Sequence, residues 1–464
     1  MHQLHRAGLA LALAVPFGAM AQTASSDVDA LRQEINAMRA DYEARLQALE
    51  QRVKAAEASA ASQPATAAPA TAASAPASPA APAVASSGGG GANAFNPAMS
   101  LILSGGYTRT SQDPASYAIT GFPLPANAEI GPGTRGFSLA ESELGFAASI
   151  DPWLRGAANI SLHPDNSVSV EEAFIETTAL DNGLSLKAGR FFSGIGYLNP
   201  QHSHTWDFAD NPLAYQAMLG TQFGNDGLQL KWIAPIDQYV ELGAEIGRGN
   251  SYPGTDTNRN GAGMTALSLH TGGDIGESNT WRAGVSVLDA KATDQDLVGT
   301  SASGASVNSL FNGNSRVWVV DGIWKWAPDG NATRTNFKLQ GEYLRSTRDG
   351  NLLYDIGNAN AFGGYRVTQS GWYVQGVYQF MPRWRVGLRT EQLDPGTPEF
   401  GLDSAALFTS YRPRKNSLMI DFNPSEFSRI RLQFAQDRAR EGYIDNQIFL
   451  QYQMSLGAHG AHSY

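Results

Sequence analysis

Residues 428–436 read SRIRLQFAQ, and residues 446–456 read NQIFLQYQMSL. In the first, Ile430, Leu432 and Phe434 fall on one side of an extended chain, and Arg429, Arg431 and Gln433 fall on the other. In the second, Ile448, Leu450, Tyr452 and Met454 oppose Gln451, Gln453 and Ser455. Successive side chains of a strand point to opposite faces, so a period of two means β-structure with one apolar and one polar face. WRVGLRTE at 384–391 repeats the pattern, as do Trp318, Val320, Trp324 and Trp326. Val240, Leu242, Ala244 and Ile246 do so against Glu241 and Glu245.

Such alternation suits either a half-buried soluble sheet or a membrane barrel that is apolar outside and polar inside. Segment length separates the two. The strands run about 9 to 14 residues, long for a sandwich and right for a tilted membrane strand. Loop parity separates them further. The sequence predicts about sixteen strands between residues 98 and 456. The connections 110–134, 192–225, 249–262, 292–313, 347–364 and 394–413 all follow odd strands, and tight turns such as Asp151-Pro152-Trp153 and Met381-Pro382 follow even ones. Long loops on one rim and short turns on the other mark an outer-membrane barrel. Trp153, Trp281, Trp326, Trp372 and Trp384 near strand ends suit an interfacial aromatic girdle. The fold class expected is all-β: an antiparallel transmembrane β-barrel of about sixteen strands, preceded by a short α-helical coiled coil.

Upstream of the barrel the chain changes character three times. Residues 1–21 carry a short basic start, an apolar run from Ala7 to Val15 and the small-x-small triplet Ala19-Met20-Ala21, the pattern of a cleaved secretory signal. In 22–61, Val28, Leu31, Ile35, Met38 and Tyr42 alternate by three and four, and Leu46, Leu49, Val53 and Ala56 resume after a stutter. That narrow seam predicts a self-associating periplasmic helix. Residues 62–92 are an Ala/Pro/Ser tether ending in four glycines, a composition that cannot build a core. The barrel domain then occupies 93–464.

The apolar run of the signal is too short to cross a bilayer as a helix, and no second run reaches the roughly 18 residues that a transmembrane helix needs. The chain has no cysteine, which removes disulfides, thiolate metal sites and thiol nucleophiles. Its formal charge is −10, and cleaving Arg6 away with the signal makes it −11, which argues against nucleic-acid partners. There is no nucleophile elbow, HExxH pair or phosphate-cradling loop, so no enzyme and no cofactor are expected.

The polar face carries the candidate chemistry. Arg383, Arg385, Arg389, Arg429 and Arg431 form a basic wall, with Asp421 on the strand between. Glu241, Glu245 and Glu342 stand on other walls. Opposed charges across a water-filled pore set up a transverse field that selects solutes, and the same residues could equally make an inter-strand ion-pair ladder. The longest connection contains NPQHSHTWDFADNP at 199–212. Its glycines and prolines suit a loop folded into the channel, with Tyr197, His202, His204, Trp206 and Asp207 at the constriction. His202 and His204 would need a third ligand such as Asp207 or Asp210 to hold a metal, so wall anchoring is the preferred reading and no metal is assigned.

The coiled coil ahead of the barrel, GRFFSGIGYLNPQHSHTWDF at 189–208 and the last strand IFLQYQMSL together resemble outer-membrane porins of the phosphate-selective O/P and carbohydrate-porin type. The usual C-terminal aromatic is displaced, since GAHGAHSY follows the last strand and ends in Tyr464. The resemblance implies a homotrimer, joined through barrel and coiled coil, in the outer membrane of a Gram-negative bacterium. Its partners would be lipid and lipopolysaccharide outside and a small hydrophilic solute, carbohydrate or anion, diffusing passively inside. Similar proteins are also labelled zinc-regulated TonB-dependent receptors, but the plug domain and about 22 strands of that mechanism are not in this sequence. Two alternatives stand beside the porin: a receptor for zinc or another metal, and an envelope tether with an incidental barrel.

Overall fold

The computed structural model describes residues 97–457, apart from 141, 257, 259, 402, 405 and 406. The expected signal, coiled coil and tether, together with His459, His462 and Tyr464, lie outside the described residues.

Sixteen antiparallel strands close into one barrel. They are β1 (Ala98–Thr110), β2 (Gly136–Leu139 continuing as Ser142–Ser149), β3 (Leu154–Leu162), β4 (Val168–Thr177), β5 (Leu184–Phe192), β6 (Gly224–Ile233), β7 (Tyr239–Gly247) and β8 (Met264–Ile275). They continue as β9 (Asn279–Thr300), β10 (Ser306–Trp326), β11 (Asn336–Tyr354), β12 (Ala361–Met381), β13 (Trp384–Asp394), β14 (Arg414–Ser425), β15 (Ser428–Arg438) and β16 (Asp445–Gly457). Each pairs with its sequence neighbour, and β16 closes on β1 from Ser100↔Gly457 to Thr110↔Gln447. Closure removes the edge, so no row of backbone groups is left facing lipid.

The outward positions form an apolar belt. Leu103, Leu186, Leu230, Leu242, Leu269, Val285, Trp318, Val320, Leu339, Val374, Leu388, Leu418, Ile430, Phe434 and Leu450 are all exposed. Apolar area in contact with water costs about 25 cal/mol per Å². A belt of this kind is stable only against hydrocarbon, and its alternation with inward polar residues is the membrane-barrel pattern.

Two features depart from the expectation. The segments 292–313 and 347–364, expected as loops, are mostly strand. β9 and β10 run 22 and 21 residues, β11 and β12 run 19 and 21. A tilted strand needs only about 9–11 residues to span a bilayer, so these hairpins continue beyond it. There they pack Leu297, Val307, Phe311, Leu352, Tyr365 and Val367 against Phe408 of the 395–413 connection.

The lumen also has an apolar sector. Met264, Ala266, Leu288, Val317, Val319, Leu344, Tyr373 and Leu393 face inward on β8–β13 and are essentially buried. What covers them is the longest loop.

Candidate functional site

The 193–223 loop leaves β5, folds into the barrel and returns at β6. Its neck is tied by Asn199, whose Nδ2 donates to Ser193 O (2.8 Å) and Phe223 O (2.9 Å) while its Oδ1 accepts from Phe223 N (2.8 Å). Its descending arm carries helix α1 (Leu213–Leu219), which stops where Gly220 turns left-handed at φ 65°. Every residue of α1 is buried. Leu213, Ala214, Met218 and Leu219 fill the apolar sector of the wall, with Ile119, Phe122 and Leu124 of the 111–135 connection on the other side. Burying such side chains contributes roughly 1.5–3 kcal/mol each.

Charge fixes the rest of the loop, and the two walls divide the work. The acidic wall takes its N–H groups. Glu342 accepts from Tyr197 N (3.0 Å), Leu198 N (3.0 Å), Tyr215 Oη (2.7 Å) and Tyr373 Oη (2.6 Å). Gly196, at φ 66°, lets the chain pass this carboxylate, since a Cβ there would collide with Glu342 Oε2 and Tyr215 Oη. Glu245 accepts from Gly194 N (2.8 Å), and Glu241 faces His270 at 3.4 Å.

The basic wall takes the loop's carboxylates and carbonyls. Asp207 meets Lys338 (2.6 Å) and Arg385 (3.5 Å), and Asp210 meets Lys415 (2.6 Å) and Arg389 (2.8 Å). Arg429 donates to His204 O (2.7 Å), and Arg431 donates to Trp206 O (2.8 Å) and Asp421 (2.9 Å). Arg389 also stacks 4.6 Å over the Phe208 ring. Burial alone would raise the Asp207 and Asp210 pKa values. Lys338 and Arg385 around Asp207, and Arg389 and Lys415 around Asp210, hold both below the ordinary carboxylate range instead.

The remaining sequence candidates separate. Arg383 stands apart from the wall: it occupies the exposed turn between β12 and β13 at φ 73°. Asp207 does not sit beside the histidines as a third ligand. Trp206 is buried, its Nε1 donating to Gln201 O (3.0 Å).

His202 and His204 point the other way, to β2–β4. There a bulge pairs Asn159 with Glu172 and Ile160 with Val170, leaving Glu171 as the extra residue. His202 Nδ1 lies 3.0 Å from Glu171 Oε2 and 3.2 Å from Glu143 Oε2, and its Nε2 lies 2.9 Å from Glu172 Oε2. His204 Nδ1 is 3.1 Å from the same Glu143 oxygen. Burial works against charge on His202, but these carboxylates raise its pKa well above the usual imidazole value.

Sequence reasoning missed Glu143, Glu171, Glu172, Glu391, Lys415 and α1. Two signals were available. Adjacent Glu171 and Glu172 break the alternation of β4, and Val317-Trp318-Val319-Val320 is apolar on both faces of β10.

The closed sheet, the apolar belt and the inward loop define the class: a sixteen-stranded transmembrane β-barrel with an occupied lumen. Within it, the chain belongs to the same family as an uncharacterized protein of Aquifex aeolicus (strain VF5). The two are 30% identical over 350 residues, which cover 71% of this chain and 70% of that one. No family model matches the chain. Solved structures similar to it include OmpT, an outer membrane protein of Vibrio cholerae (TM-score 0.46, 10% identity, 77% of this chain and 96% of that one). Another is an anion-selective porin from Comamonas acidovorans (TM-score 0.46, 9%, 78% and 99%). A third is the outer membrane channel DcaP of Acinetobacter baumannii (TM-score 0.44, 12%, 77% and 96%).

Proposed function

We propose that this protein is an outer-membrane porin, a passive channel for small hydrophilic solutes that favours anions and is narrowed by the 193–223 loop. The observation that carries the reading is a basic band on the inner wall near the short-turn rim. Arg155, Lys187, Lys231, Arg282, Lys325, Lys338, Arg385 and Arg429 lie within a few residues of that rim, on inward positions of their strands. All are partly exposed, with side-chain values of 26% for Arg155 and 22% for Lys338 and Arg385, so solvent reaches them inside the barrel. The acids of the band are fewer: Glu176 pairs with Arg155, Asp207 is shared by Lys338 and Arg385, Asp421 pairs with Arg385, and Glu241 is buried against His270.

A band of cations in a low-dielectric wall raises the local concentration of anions and lowers their entry barrier. The net negative charge of the whole chain does not oppose this, because a pore reads its own lining. Assembly as a trimer, and the periplasmic placement of a coiled coil at 22–61, belong to the same proposal.

Planar-bilayer recording in a KCl gradient tests the reading. Stepwise open-channel conductance with a reversal potential on the chloride side is expected. A silent barrel would remove the channel, and cation preference in a conducting barrel would remove the role given to the basic band.

A further inference from the structure

The His202 end of the loop lies among carboxylates, one of which, Glu172, also feels the charge of Lys187. Glu143, Glu171 and Glu172 converge on one imidazole, with His204 stacked beside it, ring centroids 5.6 Å apart and planes 23° off parallel. The group is secluded: side-chain exposures are 16% for His202, 13% for Glu171, 10% for Glu143 and 5% for His204.

The spacing is that of ligands on one ion. Glu143 Oε2, Glu171 Oε2 and His202 Nδ1 lie within 4.8 Å of one another. His202 Nδ1 stands 3.2 and 3.0 Å from the two oxygens, and His204 Nδ1 stands 3.1 Å from the Glu143 oxygen. Two ligand atoms each about 2.1 Å from a metal, at tetrahedral to octahedral angles, are separated by roughly 3.0–3.4 Å. The fourth carboxylate contact is of a different kind. Glu172 takes the far nitrogen of His202 at 2.9 Å and is itself fixed by Phe192 N at 3.1 Å. With an ion bound, that carboxylate would keep the remaining ring proton on Nε2 and leave Nδ1 to the metal, as outer carboxylates do for metal-binding histidines.

We propose that Glu143, Glu171 and His202 form a site for a late first-row divalent cation of the zinc class, with Glu172 orienting His202 and His204 facing Glu143 from outside. An imidazole with two carboxylates suits such an ion better than calcium or magnesium, which prefer all-oxygen sets. The ion binds loop to wall, tying the 193–223 segment to β2 and β4 through opposite charge. It is a resident of the lumen, and the proposal stands whichever solute the channel passes.

The test uses the full chain, extracted in detergent, stripped with chelator and titrated with Zn²⁺, with Co²⁺ absorption as the spectroscopic probe. A His459→Ala/His462→Ala background removes the tail imidazoles, and His163→Ala controls for an exposed one. One ion per chain is expected in both. Glu171→Gln and His202→Ala should abolish the Co²⁺ bands and weaken Zn²⁺ binding at least tenfold, and Glu172→Gln should weaken it by about 10- to 100-fold. Heat-modifiable gel migration shows which variants fold, and Glu171→Gln carries the test if His202→Ala does not. No binding in the folded parent chain, or a loss below threefold in every folded cluster variant, overturns the site and leaves His202 as a protonated bridge between carboxylates.

Discussion

The 193–223 loop meets charged groups at three places, and two of them, its aspartates and its histidines, differ in balance. At Asp207 and Asp210 the partners are Lys338, Arg385, Arg389 and Lys415, with Glu391 and Asp437 completing the set. Cations there match carboxylates, so that anchor is neutral by itself. At His202 three carboxylates meet two imidazoles, with the charge of Lys187 acting on Glu172. A neutralised cluster can serve as an anchor by itself, whereas an unbalanced one calls for a proton or a metal.

The sharpest way to break this comparison is to remove one charge from the balanced end. Asp210→Ala leaves Arg389 with Glu391 (3.0 Å) and Lys415 with Asp437 (3.3 Å), but each loses its shorter partner in a buried site. Removing one member of a buried pair costs about 3–5 kcal/mol, and the surviving partners place this case near the lower figure. Denaturant midpoints should fall accordingly, and single-channel currents should become larger and noisier as the loop loosens. Glu171→Gln in metal-free protein should cost far less. Equal losses for the two would erase the distinction.

The next effect is on the acidic side. Glu342→Gln keeps the shape but replaces a carboxyl group that accepts four hydrogen bonds by an amide with one acceptor oxygen. Destabilisation of about 1–3 kcal/mol is expected, with the loop again the part that moves. Protease cutting within 193–223 in the folded barrel reads that directly. Cutting at the wild-type rate would show that α1 alone retains the loop.

These anchors show where the sequence could be read and where it could not. The strands were legible because lipid imposes an apolar residue at every second position, as in Ile430, Leu432 and Phe434. That signal ends where the membrane ends. ATDQDLVGT at 292–300 and RDGNLLY at 348–354 keep pairing without it, and so looked like loops. The charged residues of β13–β15 were legible as inward-facing, but their role was not. Whether Arg431 faces open water or Trp206 O depends on a loop more than 200 positions away, and no local pattern encodes that contact. LAYQAML at 213–219 is too short for helical periodicity to stand out.

A smaller effect follows from acidity. Asp207 and Asp210 titrate below the ordinary carboxylate value of about 3.9. A lowered pKa contributes stability that is fully present above the unfolded value and is lost as pH falls through the folded one. Conductance should therefore hold steady from pH 7 to about 5 and rise only below about 4. An increase already at pH 6 would point to a group other than these two aspartates.

The smallest expected change concerns selectivity. Arg385 and Arg431 share Asp421, and Arg431 is also committed to Trp206 O. Neutralising that pair tests the anchor along with the field. Lys231 and Arg282 are the better probes, since they lie in the basic band away from the Asp207–Asp210 anchor. Replacing both by Gln should move the reversal potential toward cations by a few millivolts in dilute KCl. The shift should vanish at 1 M salt, where the Debye length falls to about 3 Å. Stability should not change, because lumen substitutions tune selectivity more than folding. A double variant with unaltered reversal potential at low salt would place the conducting path away from β6 and β9, along the opposite wall of the barrel.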